Sequence, residues 1–314
     1  MKKILIGISL FIVVSVAAVY WLIPSQLAVS ESLRVRCVAD AAYRAMSDQA
    51  AWAPWWPGSV IPDSGRSTAA FDFDGNRYLL TEHKNNTLAI GVQRNAALLN
   101  GRMSFYALPG DSMLMQWTYE IASGSNPWKK IAAYRQAVSL KNQMHTITDA
   151  AATYLVSFRH LYGFPFLENS TRDTLLISTR AVSAEYPSTS FIYGMIGKLQ
   201  AYALHQGCTV TGRPMINISH PDQGDYRVMA ALPVDRVVND TGDIAAKKMI
   251  PGKFLVVEVT GTQQKVDSTL HQIENYFQDY RRTPMAIPFA YLVTDRRQQP
   301  DSTKWVTLVY APVF

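Results

Sequence analysis

Cysteine is nearly missing from this chain: Cys37 and Cys208 are the only two in 314 residues. No CxxC pair, zinc-type cluster or disulfide framework can be assembled from them. In an oxidising compartment the two could pair; two free buried thiols are the simpler expectation. Also missing are GxGxxG, the P-loop, HExxH and GxSxG, which removes the dinucleotide fingerprint, the phosphate cradle, the zinc-protease helix and the nucleophile elbow. The six histidines (83, 145, 160, 205, 220 and 271) show no ligand spacing, so neither metal nor cofactor is expected. Charge is sparse at 17%, and the formal net charge of +6 is scattered. Lys247-Lys248, Arg281-Arg282 and Arg296-Arg297 are each flanked by acidic or apolar residues. Without a basic stripe, nucleic acid is not an expected partner.

What is abundant is apolar surface: 48% of residues are hydrophobic and 11% aromatic. The length exceeds what one core usually supports, so two domains are expected. Near the start, Lys2 and Lys3 precede ILIGISLFIVVSVAAVYWLIP. These are about twenty uncharged residues, enough to cross roughly 30 Å of hydrocarbon as a helix. Residues 1–24 therefore read as a single transmembrane anchor, with residues 4–24 in the membrane and Trp21 at its interface. A cleaved signal peptide is the alternative, but Ala28-Val29-Ser30 is a poor cleavage site. About three positive charges precede the run and about one net charge follows it, which predicts a single-pass inner-membrane protein with its body on the periplasmic side.

Beyond the run, LRVRCV (33–38) alternates like a strand, and AAYRAMSDQAAW has helical propensity up to Pro54. Turn signals at Asp74-Gly75, Asn85-Asn86, Asn100-Gly101 and Pro109-Gly110-Asp111 divide strands expected over 68–73, 76–83, 87–93, 102–107 and 112–121. In the last of these Met113, Met115, Trp117 and Tyr119 face one way. Asn126-Pro127 then caps a long helix carrying Tyr134, Val138, Lys141, Met144, Thr148, Ala151, Leu155 and Phe158 on one stripe, ending near Gly163. Between helix and meander lies AAWAPWWPG, in which Trp52 ends the helix and Pro54 turns the chain. Trp55 and Trp56 are expected on opposite sides, one as a wedge and the other as a lid over a cavity mouth; a purely structural wedge is the simpler expectation. This order of elements, with W-x-x-W-W-P-G and Asn126-Pro127, resembles the START-like superfamily (SRPBCC, polyketide-cyclase-like) over residues 32–163. The resemblance implies a helix-grip domain, an antiparallel sheet around a long C-terminal helix, with an apolar ligand cavity and no fixed chemistry. Trp55, Trp56 and Trp117 are its candidate ligand contacts. Six strands are counted where the family commonly has seven.

Residues 172–314 contain a repeat. YRVMAALPV and WVTLVYAPV close two halves 79 residues apart (Pro233 to Pro312), and LLISTRAV and FLVVEVTG open them. Each half has an amphipathic helix: Ile192, Met195, Ile196, Leu199 and Ala203 in the first, Val266, Leu270, Ile273, Phe277 and Tyr280 in the second. With Gly212-Arg213-Pro214, Pro251-Gly252 and the closing Tyr310-Ala311-Pro312-Val313, this pseudo-duplicated βαββ unit resembles the GyrI-like effector-binding family. That resemblance implies binding of lipophilic, often cationic compounds between the halves by aromatics and a buried glutamate. Phe289 and Leu308 stand where the family's acidic positions align, which points instead to a neutral or anionic ligand. Tyr226, Phe289, Tyr291, Trp305 and Tyr310 all fall on the paired strands, as core or as an aromatic pocket. Glu258 interrupts the apolar run LVVEV. It either faces water or points between the halves, where burial would raise its pKa and make it an acid/base candidate beside Tyr291 or Tyr310. The overall expectation is an α+β, membrane-anchored, non-enzymatic binder of small lipophilic molecules, a sensor or carrier. A small-molecule hydrolase using Glu258 is the alternative, and a regulator reporting ligand to a protein partner is a third reading.

Overall fold

The computed structural model describes residues 2–61, 70–94, 97–170, 175–221, 224–249, 252–284 and 286–313. It is a mixed α+β chain with two antiparallel sheets, one of them curled into a half-barrel, and it divides into two compact units, Met1–Leu161 and Tyr162–Phe314.

Unit 1 begins with α1 (Lys2–Leu22), β1 (Gln26–Val35) and α2 (Ala39–Ser47). A meander of β2 (Ser59–Ile61), β3 (Ala70–Phe73), β4 (Asn76–Lys84), β5 (Thr87–Arg94), β6 (Ala97–Leu108) and β7 (Ser112–Ala122) follows, then α3 (Pro127–Leu155). Sheet order is β1-β7-β6-β5-β4-β3-β2, so each strand of the meander pairs with its chain neighbour and β1 closes along β7. The tight turns lie where left-handed backbone is tolerated: Asp74 and Gly75, Asn85 and Asn86, Gly110 and Asp111 all have positive φ. Asn100-Gly101 is different. It lies inside β6, where a Cβ on Gly101 would run into the ring of Tyr119, its partner on β7. That glycine serves a close approach and not a turn. The strand missing from the sequence count is β2, only three residues long.

In α3 the Asn126 side chain accepts from Trp128 N, and Pro127 occupies the first turn. Met144, Thr148, Ala151 and Leu155 face inward as expected, but Tyr134 and Val138 are exposed. The first half instead buries Lys130, Ala133, Ala137 and Leu140. Two alanines let the helix backbone approach the sheet, and Lys130 Nζ is satisfied by Ile23 O at 2.6 Å and Ser123 Oγ at 3.5 Å. The helix stops at Leu155, and the chain re-enters helix briefly as α4 (Phe158–Tyr162) before Gly163.

The expected membrane anchor is not supported. Among the described residues no helix is long and apolar enough to cross a membrane. The sequence run counts residues that belong to the body: Tyr20 Oη donates to Ser125 O at 2.5 Å, and Ile23 is buried. Ala18 and Val19 are partly covered, which leaves Ile4–Ala17, about 21 Å at 1.5 Å per residue, against roughly 30 Å of hydrocarbon. The inner-membrane, periplasmic placement falls with the anchor.

Unit 2 contains β8 (Glu168–Ser170), β9 (Leu175–Ser183), α5 (Thr189–His205), β10 (Met215–Ser219), β11 (Tyr226–Pro233), β12 (Ile244–Lys248), β13 (Lys253–Thr260), α6 (Gln263–Asp279), β14 (Phe289–Leu292) and β15 (Val306–Pro312). The order β12-β9-β11-β10-β14-β15-β13-β8 is two mirrored βαββ halves joined at β10 and β14, with β12 and β8 added at the edges. Both helices are 17 residues long. One face of the sheet packs on α5 through Ile177, Val228, Ala230 and Leu232. The other gathers Leu176, Met215, Ala231, Phe254, Val256, Phe289 and Tyr291. Neighbouring residues such as Ala230 and Ala231 thus serve opposite cores, as the period of two requires.

Candidate functional site

The seam between the halves of unit 2 borders an open groove of about 900 Å³. One wall is α6. Its inward residues Val266, Ile273 and Phe277 are buried against the sheet. The flank one step round the helix presents Asp267, Leu270, His271 and Glu274, spaced three and four apart. The other wall is made where strands end and loops begin, by Tyr186, Ser219, His220 and Tyr226. The His220 ring stacks on Tyr226 with centroids 4.2 Å apart, and Tyr186 meets Tyr226 edge-on at 5.4 Å.

A polar relay ties the groove to the interior. Tyr186 Oη donates to Asp267 Oδ1 at 3.4 Å, and Gln263 Nε2 donates to the same oxygen at 2.9 Å. Gln263 Oε1 in turn accepts from Arg296 Nη1 at 2.7 Å. Arg296 is buried, its Nη2 donates to Thr307 Oγ1 at 3.1 Å, and its guanidinium lies 4.6 Å from the centroid of Trp305. Burial lowers the Arg296 pKa from its usual value, though the residue stays a cation because that value is so high. Burial, reinforced by the Asp267 charge, pushes the Tyr186 hydroxyl well above the usual tyrosine range, so it remains a donor to Asp267. The relay places a positive charge inside and a carboxylate at the groove. Ring faces beside carboxylates form an environment for a lipophilic group bearing positive charge.

The five aromatics expected on strands land in three places, and Trp305 lies just outside β15, at the end of the turn Ser302–Lys304. Tyr226 lines the groove. Phe289, Tyr291 and Tyr310 form a cluster with Phe254 on the opposite face of the sheet, Phe289 and Tyr310 stacked at 5.3 Å. Trp305 lies under Arg296 and donates from Nε1 to Gln299 O at 2.8 Å. Glu258 is exposed and pairs in the ladder with Leu308, which pairs in turn with Tyr291. Tyr186, His220 and Asp267 escaped the sequence reading. The one available signal was the polar flank of α6, which periodicity alone marks as solvated surface.

In unit 1 the tryptophan stretch is packed interior. Trp52, Trp55 and Trp56 are 1%, 8% and 7% exposed, so none stands as a lid. Trp52 stacks on Trp56 at 5.8 Å, Trp55 lies against both, and the series continues through Phe71, Tyr78, Trp117 and Tyr119. Trp56 Nε1 donates to Asp72 O at 3.1 Å. The same carbonyl backs onto Gly58, where any Cβ would collide with it. The W-W-P-G stretch is thus fitted to β3. Trp55 Nε1 and Trp117 Nε1 are buried donors without a partner.

No family model matches the chain, and no curated protein matches it. Its structural neighbours include START-superfamily proteins and GyrI-like effector-binding domains. The C-terminal domain of EcmrR is 14% identical with a TM-score of 0.42, over 48% of this chain and 98% of its own. SAV2435 bound to tetraphenylphosphonium is 14% identical with a TM-score of 0.33, over 48% and 93%. A START superfamily protein from Mycobacterium smegmatis is 17% identical with a TM-score of 0.30, over 41% and 96%.

Proposed function

We propose that unit 2 is a GyrI-like binding domain for a small lipophilic molecule carrying positive charge, and that unit 1 is a START-like helix-grip domain. The observation that carries the binding reading is the groove itself, with Tyr186, Tyr226 and His220 offering ring faces opposite Asp267 and Glu274. Its volume of about 900 Å³ suits a drug-sized ligand. The neutral or anionic ligand inferred from Phe289 and Leu308 is revised on this reading, because α6 brings to the groove the carboxylates absent at those two strand positions. The role is binding, as sensor or carrier. Glu258, the carboxylate of the hydrolase alternative, is exposed and outside the groove lining, so no turnover is assigned to it.

Tetraphenylphosphonium, the compound bound to SAV2435, is a suitable lipophilic cation for the test. Calorimetric titration of the full chain is expected to give saturable binding, weakened about tenfold (~1.4 kcal/mol) in Asp267→Asn. Equal affinity in Asp267→Asn would remove the groove carboxylate from the reading, and with it the cationic ligand.

A further inference from the structure

The groove of unit 2 holds two histidines, one on each wall. His220 follows the last residue of β10, and His271 stands on the flank of α6 between Asp267 and Glu274. Histidine is the side chain that ordinarily changes charge between pH 5 and 8. The other titratable groups facing the two rings are Tyr186 and Tyr226 from the strand side, with Asp267 and Glu274 from α6. Tyrosine and carboxylate side chains ordinarily titrate outside that interval. Among the described residues no lysine or arginine lines this groove, and Arg296 reaches Asp267 through Gln263. The histidines are therefore the groove's own source of positive charge.

Each ring sits on a group that a cationic ligand would use. His220 stacks on Tyr226 with centroids 4.2 Å apart and planes 11° from parallel, so it covers one face of that ring. As an imidazolium it gains a cation–π contact there. His271 Nδ1 lies 3.5 Å from Glu274 Oε2, and once protonated it pairs with that carboxylate. Both side chains are exposed, so the pair adds little stability, yet it cancels a charge at the groove.

We propose that protons and the cationic ligand compete for this groove, which loads near neutral pH and unloads on acidification. The inference rests on the cation-binding reading above. With neutral histidines, Asp267 and Glu274 give the groove a formal charge of −2, and two imidazoliums cancel it. The competition is reciprocal: a cation that binds less well to the protonated groove must expel protons when it binds.

Tetraphenylphosphonium does not titrate, so any pH dependence of its binding belongs to the protein. Calorimetry on the full chain is expected to give a Kd about tenfold higher at pH 5.5 than at pH 8. At pH 6.5 the binding enthalpy is expected to vary with the ionisation enthalpy of the buffer, in the sense of proton release. The double variant His220→Phe/His271→Gln keeps a ring face but takes up no proton at either place. Its two Kd values are expected to agree to within about twofold, whatever their size. Proton release is read on the unaltered chain, so it decides the matter should that variant fail to fold. Saturable binding of equal strength at both pH values, no proton release, or a pH dependence that survives in the double variant would each overturn the proposal and leave the cation reading in place. Absence of binding at both pH values would remove that reading, and the competition with it.

Discussion

Unit 1 and unit 2 are both rich in aromatic residues and place them in opposite ways. In unit 1 a continuous series from Trp55 to Tyr119, with successive centroids 5.3 to 6.1 Å apart, lies within the curl of a single sheet. A sheet curled around one helix has a single inside, and large side chains fill it; the open space is displaced to one end. In unit 2 a sheet with two helices has a gap wherever the helices part, and the rings that reach it, Tyr186, His220 and Tyr226, come from strand ends and loops. A dense aromatic run is therefore a mark of core, and the binding surface is made by rings that the chain's ends and turns bring together.

That contrast is broken most severely by Trp56→Ala. Removing a 7%-exposed ring that touches Trp52, Trp55, Phe71 and Tyr78 is expected to cost about 3–5 kcal/mol. Scanning calorimetry of the full chain, with tryptophan fluorescence as a second probe, will read this as a lower midpoint for unit 1. A midpoint unmoved would mean that the ring is not core.

A smaller effect distinguishes the two faces of unit 2. Tyr226→Ala is expected to weaken tetraphenylphosphonium by about fivefold (~1 kcal/mol), through the loss of a ring face. Tyr310→Ala, on the far face of the sheet, is expected to lower the melting temperature and leave that affinity unchanged. The reverse pattern would move the ligand to the Phe289–Tyr291–Tyr310 cluster.

The smallest effect concerns His145 on α3, whose Nδ1 lies 2.9 Å from Glu31 Oε1 on β1. This hydrogen bond, with Asp149 nearby, raises the His145 pKa above its ordinary value of 6.5. The sign follows from linkage: the pair contributes below the unfolded histidine pKa, and the contribution is lost as pH rises through the higher folded value. An NMR titration is expected to place the His145 midpoint above 6.5, and Glu31→Gln to bring it down. A midpoint indifferent to Glu31→Gln would separate the two side chains in solution.

Periodicity and turn chemistry made much of the fold legible. The stripe of α5 is buried residue for residue, because Ile192, Met195, Ile196, Leu199 and Ala203 lie on one face and nothing competes with them. The mirrored halves were visible as repeated strand endings at Pro233 and Pro312. Asn100-Gly101 misled because a turn and a close ring contact call for the same residue, and only the partner strand tells them apart. The apolar run of α1 misled because hydropathy does not record that Tyr20 and Ile23 are held by the body. The groove was least legible. Tyr186 and Asp267 are 81 positions apart and meet only when the second helix lies beside the first half. Tyr226, Phe289, Tyr291 and Tyr310 were legible as strand residues, while Trp305 lies one residue before β15; their division among a groove, a core face and an arginine platform depends on which side of the sheet the helices cover.

The seam of unit 2 is short: Met215 pairs with Tyr291 and Ile216 with Ala290, and one further bond runs from Leu292 N to Pro214 O. Each half presents the same kind of strand edge to the other, so the unit has the form of a twofold dimer whose subunits have been fused into one polypeptide. The first half contributes ring faces to the cleft and the second contributes acid, so a substitution in either half changes this one cleft, whereas in a dimer of identical subunits every substitution is made twice.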